Sequence, residues 1–205
     1  MKKLICAIFF LIGVIIVQAQ EEKKQFIHKG ILRAQATISP GILLKENVLT
    51  TSIYGNLEYY VADNVSIRGD SYYFLQSENN PFEFNHSVST GVSYHFKTKN
   101  HFDPYLAVQP GLAWSQRKSF VCDDFNLPTG GWGPCYDKTY NPSANPLISS
   151  AIGFNFYFQR VFHLFAEARY ISGKHISDDS SPLSLNELRF SFGLGWNLNL
   201  IKQKK

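Results

Sequence analysis

Three observations predict an all-β fold, an eight-stranded antiparallel up-and-down transmembrane β-barrel. Apolar and polar residues alternate with a period of two in eight separate segments, no apolar run after the first twenty residues reaches the length of a spanning helix, and the chain is rich in aromatics (15%) but poor in charge (18%). With no further helix available, a bilayer could be crossed only by a closed sheet, which satisfies every backbone group internally. At 205 residues the chain is one domain's worth. Its 17 Phe and 11 Tyr against a single Met suit a sheet better than a helical bundle, and collagen, coiled-coil and zinc-finger readings drop out.

The domain organisation begins with an export segment. Lys2 and Lys3 precede an apolar run from Leu4 to Val17, and Gln18-Ala19-Gln20 supplies a small-residue cleavage site. Residues 1–19 are therefore expected to be a signal peptide and 20–205 the barrel domain. The alternative, an uncleaved anchor, has an apolar run shorter than the roughly 20 residues that a span requires. Cys6 is not at the cleavage site, so it does not mark a lipoprotein site. Losing Lys2 and Lys3 leaves 18 bases against 16 acids, a net of +2 that argues against nucleic acid as a partner.

The strands follow in order. From Gly30 to Ile38, Leu32, Ala34, Ala36 and Ile38 oppose Arg33, Gln35 and Thr37. Ile53, Leu57, Tyr59 and Val61 oppose Ser52, Tyr54, Asn56, Glu58 and Tyr60; from Val65 to Leu75, Val65, Ile67 and Tyr73 oppose Arg68 and Asp70. Val88, Val92, Tyr94 and Phe96 oppose Ser87, Ser89, Gly91, Ser93 and His95. Leu106, Val108, Leu112 and Trp114 oppose Tyr105, Ala107, Gln109 and Gly111, with a bulge expected at Pro110, which has no ladder donor. Ile148, Ile152, Phe154, Phe156 and Phe158 oppose Ser149, Ala151, Gly153, Asn155 and Tyr157; Leu164, Ala166, Ala168 and Tyr170 oppose Phe165, Glu167 and Arg169. The last segment is the clearest, with Leu188, Phe190, Phe192, Leu194, Trp196, Leu198 and Leu200 on one face and Glu187, Arg189, Ser191, two glycines and two asparagines on the other.

Connections are expected to alternate between short and long. Ala62 to Asn64, Thr98 to Asp103 and Gln159 to Val161 are short; Ser39 to Thr50, Gln76 to Asn85, Lys118 to Asn145 and Gly173 to Ser184 are longer. Turns would then lie at one membrane face with both termini, the periplasmic side, and loops at the other. Aromatics fall in two girdles: Tyr59, Tyr94, Phe96, Phe158 and Trp196 at turn-side strand ends, and Tyr73, Trp114, Tyr170 and Phe190 at loop-side ends. A soluble lipocalin-like barrel would show the same alternation with the faces reversed. The inward Arg–Glu pairs and the terminal aromatics favour the membrane.

Two local patterns carry a resemblance. Glu167-Ala168-Arg169-Tyr170 on the seventh strand, and Ser191-Phe192-Gly193-Leu194-Gly195-Trp196-Asn197-Leu198 on the last, make the chain resemble the small eight-stranded outer-membrane β-barrel family, of the OmpX, Opa and OmpA membrane-domain kind. The second pattern is similar to the signal by which the barrel-assembly machinery recognises a last strand, which implies an assembly role for Ser191, Gly193, Trp196 and Leu198. The tail from Asn199 to Lys205 departs from the aromatic terminus of many members. The resemblance implies a bacterial outer-membrane location, outer-membrane lipid and lipopolysaccharide as surroundings, and no cofactor.

Functional candidates lie inside and at the loops. The polar faces hold Arg33, Arg68, Arg169 and Arg189 with Glu58, Asp70, Glu167 and Glu187, a neutral set expected to pair in a lumen only wide enough for its own side chains. A narrow gated channel is the alternative. Arg68-Gly69-Asp70 falls within a strand and is not an adhesion loop. Cys122 and Cys135 close a short loop and read as a disulfide in an oxidising compartment, against free thiols or a soft metal site with no histidine beside it. The surrounding segment 118–145, with Trp132 and Tyr136, is the expected contact for an extracellular partner. A catalytic reading rests on His175-Ile176-Ser177 with Glu187, similar to the His-x-Ser and acid of lipid A deacylase barrels, although Asp178 stands where those enzymes carry Asn. His28, His86, His95, His101 and His163 show no ligand spacing, so no metal is expected; Asp123-Asp124 and Asp178-Asp179 read as solvated carboxylates, with divalent cations the alternative. The expected role is structural or surface contact, and not catalysis.

Overall fold

The computed structural model describes residues 27–75, 80–98, 101–122, 135–176 and 183–199, with the backbone alone at 120–122, 135 and 137. Strands occur in the order β1 (Ile31–Leu43), β2 (Val48–Ala62), β3 (Val65–Leu75), β4 (Phe82–His95), β5 (Phe102–Cys122), β6 (Cys135–Thr139), β7 (Ser143–Tyr157), β8 (Phe162–His175), β9 (Leu183–Ser184) and β10 (Glu187–Asn199). Among the described residues no helix is long and apolar enough to cross a membrane. Eight strands, all but β6 and β9, pair antiparallel with their neighbours, and β1 pairs with β10, so the sheet closes and leaves no wall edge.

The alternation of the sequence sets which face each residue takes. Phe154, Phe192 and Trp196 are exposed on the outside, whereas Glu167 and Arg189 are 5% and 2% exposed inside. A soluble barrel would require the opposite. The outer wall carries Leu, Ile, Val and aromatic side chains on every wall strand. Their exposed area is on the order of 2,000 Å², several times the few hundred Å² that a soluble monomer leaves in one patch.

Several boundaries differ from the expectation. The segment 39–50 is not a long loop: β1 runs to Leu43 and β2 begins at Val48, leaving a turn of Leu44–Asn47 with Asn47 at φ 54°. Pro40 is accommodated because it points outward opposite Thr51. The strict alternation of short and long connections also fails, since residues 44–47 span no more than 158–161. Asp103 is inside β5 rather than in a turn, and β5 continues past the wall to Cys122, where β6 pairs with it from Lys118↔Thr139 to Cys122↔Cys135. No bulge forms at Pro110. It pairs with Ile148 in unbroken register on β7, and on β4 the pairs Ser89↔Gly111 and Val92↔Val108 keep one register while the two positions between them leave the ladder.

β9 keeps the register that β10 has on β8, so it continues the last strand beyond a break at Leu185 and Asn186. The closing seam is less regular. β1 and β10 pair at Ile31–Gln35 and Gly41–Leu43, and between these stretches side chains bridge instead: Thr37 Oγ1 donates to the Phe192 carbonyl at 2.7 Å and Ser39 Oγ to the Phe190 carbonyl at 2.9 Å. Two glycines are required by rings that lie over them. A Cβ on Gly195 would overlap the His163 ring, and one on Gly153 would lie 2.6 Å from the Tyr105 hydroxyl oxygen.

Candidate functional site: the barrel lumen

The lumen is built in tiers. At the end with the termini, the turn end, β1 and β2 set Arg33 opposite Glu58. Arg33 donates to Glu58 through Nε at 3.0 Å and also through Nη2, and its Nη1 donates to Asp103 Oδ2 at 3.1 Å and the Tyr157 hydroxyl at 3.0 Å. His95 Nδ1 lies 2.8 Å from Asp103 and its Nε2 2.9 Å from Glu58, and an imidazole donates at both nitrogens only as the cation. Asn155 donates to Asp103, Ser66 to Glu58, and the Arg33 guanidinium lies over the Tyr60 and Tyr105 rings.

The middle tier crosses the whole bore. β3 and β8 stand four strands apart in either direction around the ring, yet Arg68 Nη2 reaches Glu167 Oε2 at 2.7 Å and Arg169 Nη2 reaches Asp70 Oδ2 at 2.8 Å. Arg68–Asp70 at 3.0 Å and Arg169–Glu167 at 2.9 Å complete a quartet of two cations and two anions. Tyr54 donates to Asp70, Tyr105 to Glu167, and Arg169 to Gln109 and Ser149. Tier three is the pair Arg189–Glu187 at 2.7 Å, where Arg189 also donates to Ser87, Thr50 donates to Glu187, and the guanidinium carbon lies 4.3 Å from the Tyr72 ring centroid.

Above these ions, at the loop end, the interior turns apolar. Leu43, Phe82, Ala113, Leu147, Ile171 and Leu185 form one buried cluster across the bore. His175 lies against Phe82, its Nδ1 within 2.9 Å of Ser115 Oγ and 3.2 Å of Ser143 Oγ, with Asn145 beside it. It follows Lys174, whose side chain is exposed. Desolvation, with Arg117 nearby, pushes the imidazole below its ordinary value.

All eight charged residues picked from the sequence are inside and paired, as three groups rather than one network. Asp103 and His95 were missed, because one was read into a turn and the other judged only for metal spacing. They matter to the charge balance, since five carboxylates face four arginines and His95. Arg68 and Asp70 are buried in the quartet, which removes Arg68-Gly69-Asp70 from the surface. Ser177, Asp123, Asp124, Asp178, Asp179, Trp132, the signal segment and residues 200–205 lie outside the described residues. His175 and Glu187 do not meet: Glu187 bonds Thr50 and Arg189, and His175 bonds Ser115, Ser143 and Asn145. On β10 Ser191 points inward and bonds Ser39, whereas Trp196 and Leu198 point outward. Cys122 and Cys135 are register partners across the hairpin. Among the described residues no group of three or more His, Cys, Asp or Glu is placed to hold a metal.

No sequence-family model matches the chain, and no curated protein matches it. Solved structures do. OprG from Pseudomonas aeruginosa is 10% identical with a TM-score of 0.59, covering 85% of this chain and 99% of its own. The N-terminal barrel domain of Pseudomonas aeruginosa OprF is 14% identical at 0.54 (83% and 99%), and Neisserial surface protein A is 15% identical at 0.53 (82% and 96%). At these identities the likeness is one of fold. The chain has the fold of the small eight-stranded outer-membrane β-barrels.

Proposed function

We propose that this protein resides in the bacterial outer membrane as a closed, non-conducting barrel with a structural or surface-contact role, and not as an enzyme. The observation that carries the reading is the inverted distribution: an apolar outer wall around a lumen whose ions are satisfied by one another. Acyl chains cover such a wall without penalty, and water does not. The quartet between β3 and β8 occupies the full diameter, and the apolar cluster above it excludes water, which supports a plug over the gated channel. The bonds made by Glu187 and His175 leave the deacylase arrangement unassembled.

In this reading the contact surface is the β5–β6 hairpin, which stands beyond the wall with Tyr136 exposed and Arg117 and Lys138 stacked on Tyr140. A disulfide between Cys122 and Cys135 would fix it. Directly opposed residues in an antiparallel pair have Cα atoms about 4.5–5.5 Å apart, inside the range that a disulfide spans. The turn end, with the termini, faces the periplasm.

Two measurements test the function. Purified protein should run compact on a gel until boiled, and should give no stepwise conductance in planar bilayers. Steady single-channel steps in the wild type would overturn the plug, and unchanged mobility on boiling would overturn the membrane barrel.

A further inference from the structure

The outer wall is not apolar throughout. At the loop end of β7, β8 and β9, immediately beyond the exposed Tyr170, lies a cleft of about 700 Å³ lined by Lys45, Lys174, Ser172, Ser184 and Asn186, with Pro146 and Ile176 at its sides. Its position follows from the break after β9. Asn186 turns its side chain to accept the Gly173 N–H at 3.2 Å, and Leu185 swings inward to donate its own N–H to the Gly173 carbonyl. Small polar side chains, Ser172, Ser184 and Asn186, are left around the cleft. The tight turn Leu44–Asn47 then brings Lys45 to the rim opposite Lys174, because Leu44 N–H bonds the Asn186 carbonyl.

Both lysines are exposed, and neither has an ion-pair partner among the described residues, in contrast with every cation of the lumen. No carboxylate lines the cleft among those residues. Two unpaired ammonium groups, two hydroxyls and an amide, set at the level where an aromatic girdle ends, form a receptor for a compact anion carried at headgroup height.

We infer that this cleft binds the phosphate of a membrane lipid headgroup, Lys45 and Lys174 meeting the charge and Ser172, Ser184 and Asn186 bonding its oxygens, while the acyl chains lie along the apolar wall below. The inference rests on the proposed membrane location of the wall. It goes beyond that location by naming a lipid class and the groups that select it.

The test uses the full mature chain, purified in a neutral detergent and titrated with dioleoyl phosphatidic acid or dioleoyl phosphatidylcholine, with retained lipid counted by native mass spectrometry. Wild type should keep phosphatidic acid in preference to the zwitterionic lipid. Lys45→Gln with Lys174→Gln should lose that preference about tenfold or more, as expected from two surface cations. Lys29→Gln with Lys97→Gln makes the same charge change at the other end of the barrel and should leave the preference intact. Equal retention of the two lipids by wild type, or an unchanged preference in the first double variant, overturns the site. Displacement of the lipid by millimolar inorganic phosphate overturns the lipid as its source. If the membrane reading itself is wrong, the failure looks different: the protein stays monomeric without detergent and retains neither lipid.

Discussion

The two ends of the lumen are closed by opposite means. From the turn end through the middle, the bore is filled by paired ions, hydroxyls and amides; at the loop end, six residues including Leu43, Phe82 and Leu185 fill the same bore as an ordinary apolar core. The difference shows what each filling depends on. An apolar plug is proportional to area and tolerates small losses. A buried ion set is all or nothing, because its members are desolvated whether or not their partners are present.

The largest expected effect breaks the ionic side. Asp70→Ala leaves Arg68 and Arg169 each short of a partner and should cost about 3–5 kcal/mol in urea unfolding of the detergent-solubilised barrel. Replacing all four members of the quartet by apolar residues of similar volume should cost much less than that single change, or nothing. Equal or greater loss in the quadruple variant would show that the ions stabilise by more than mutual satisfaction.

A smaller effect is expected on the apolar side. Leu185→Ala should cost about 2–4 kcal/mol by leaving a cavity under the break after β9, yet conductance should stay absent, because the quartet below still fills the bore. Channel steps in Leu185→Ala would assign the seal to the apolar cluster instead.

Most of the ionic end was legible in the sequence, and the apolar end was not. Period-two alternation places Arg33, Glu58, Arg68 and Arg169 inward because a strand has only two faces. The same rule assigns apolar residues outward, so it has no means of seeing Leu43, Leu147 and Ile171, which point inward above the ions. Proline and glycine misled it as well. Pro40 and Gly41 read as a loop, yet proline is tolerated where it points outward, and Gly41 leaves the space that Glu187 and Thr50 occupy. The quartet's reach between β3 and β8 was invisible, since residues 99 apart in sequence meet only once the barrel closes.

The smallest expected effect concerns His175 at the top of the apolar end. Its imidazole titrates below the ordinary 6.5 when folded, so the neutral ring contributes stability that is present above pH 6.5 and is lost as pH falls through the depressed value. Amide protection near Ser115 and Ser143, corrected for the intrinsic pH dependence of exchange, should therefore fall on acidification below 6.5 in the wild type and stay flat in His175→Asn. The same fall in both would remove His175 from the account.

The central claim is that the apolar wall meets acyl chains while the ions face the axis. It is tested most directly in bilayers of brominated-chain lipid, with the native tryptophans Trp114, Trp132 and Trp196 replaced by Phe and one reporter added. Phe154→Trp, on the outer wall, should be strongly quenched, and Phe165→Trp, in the lumen beside Tyr54, should not. Quenching of the second reporter and sparing of the first would contradict the account.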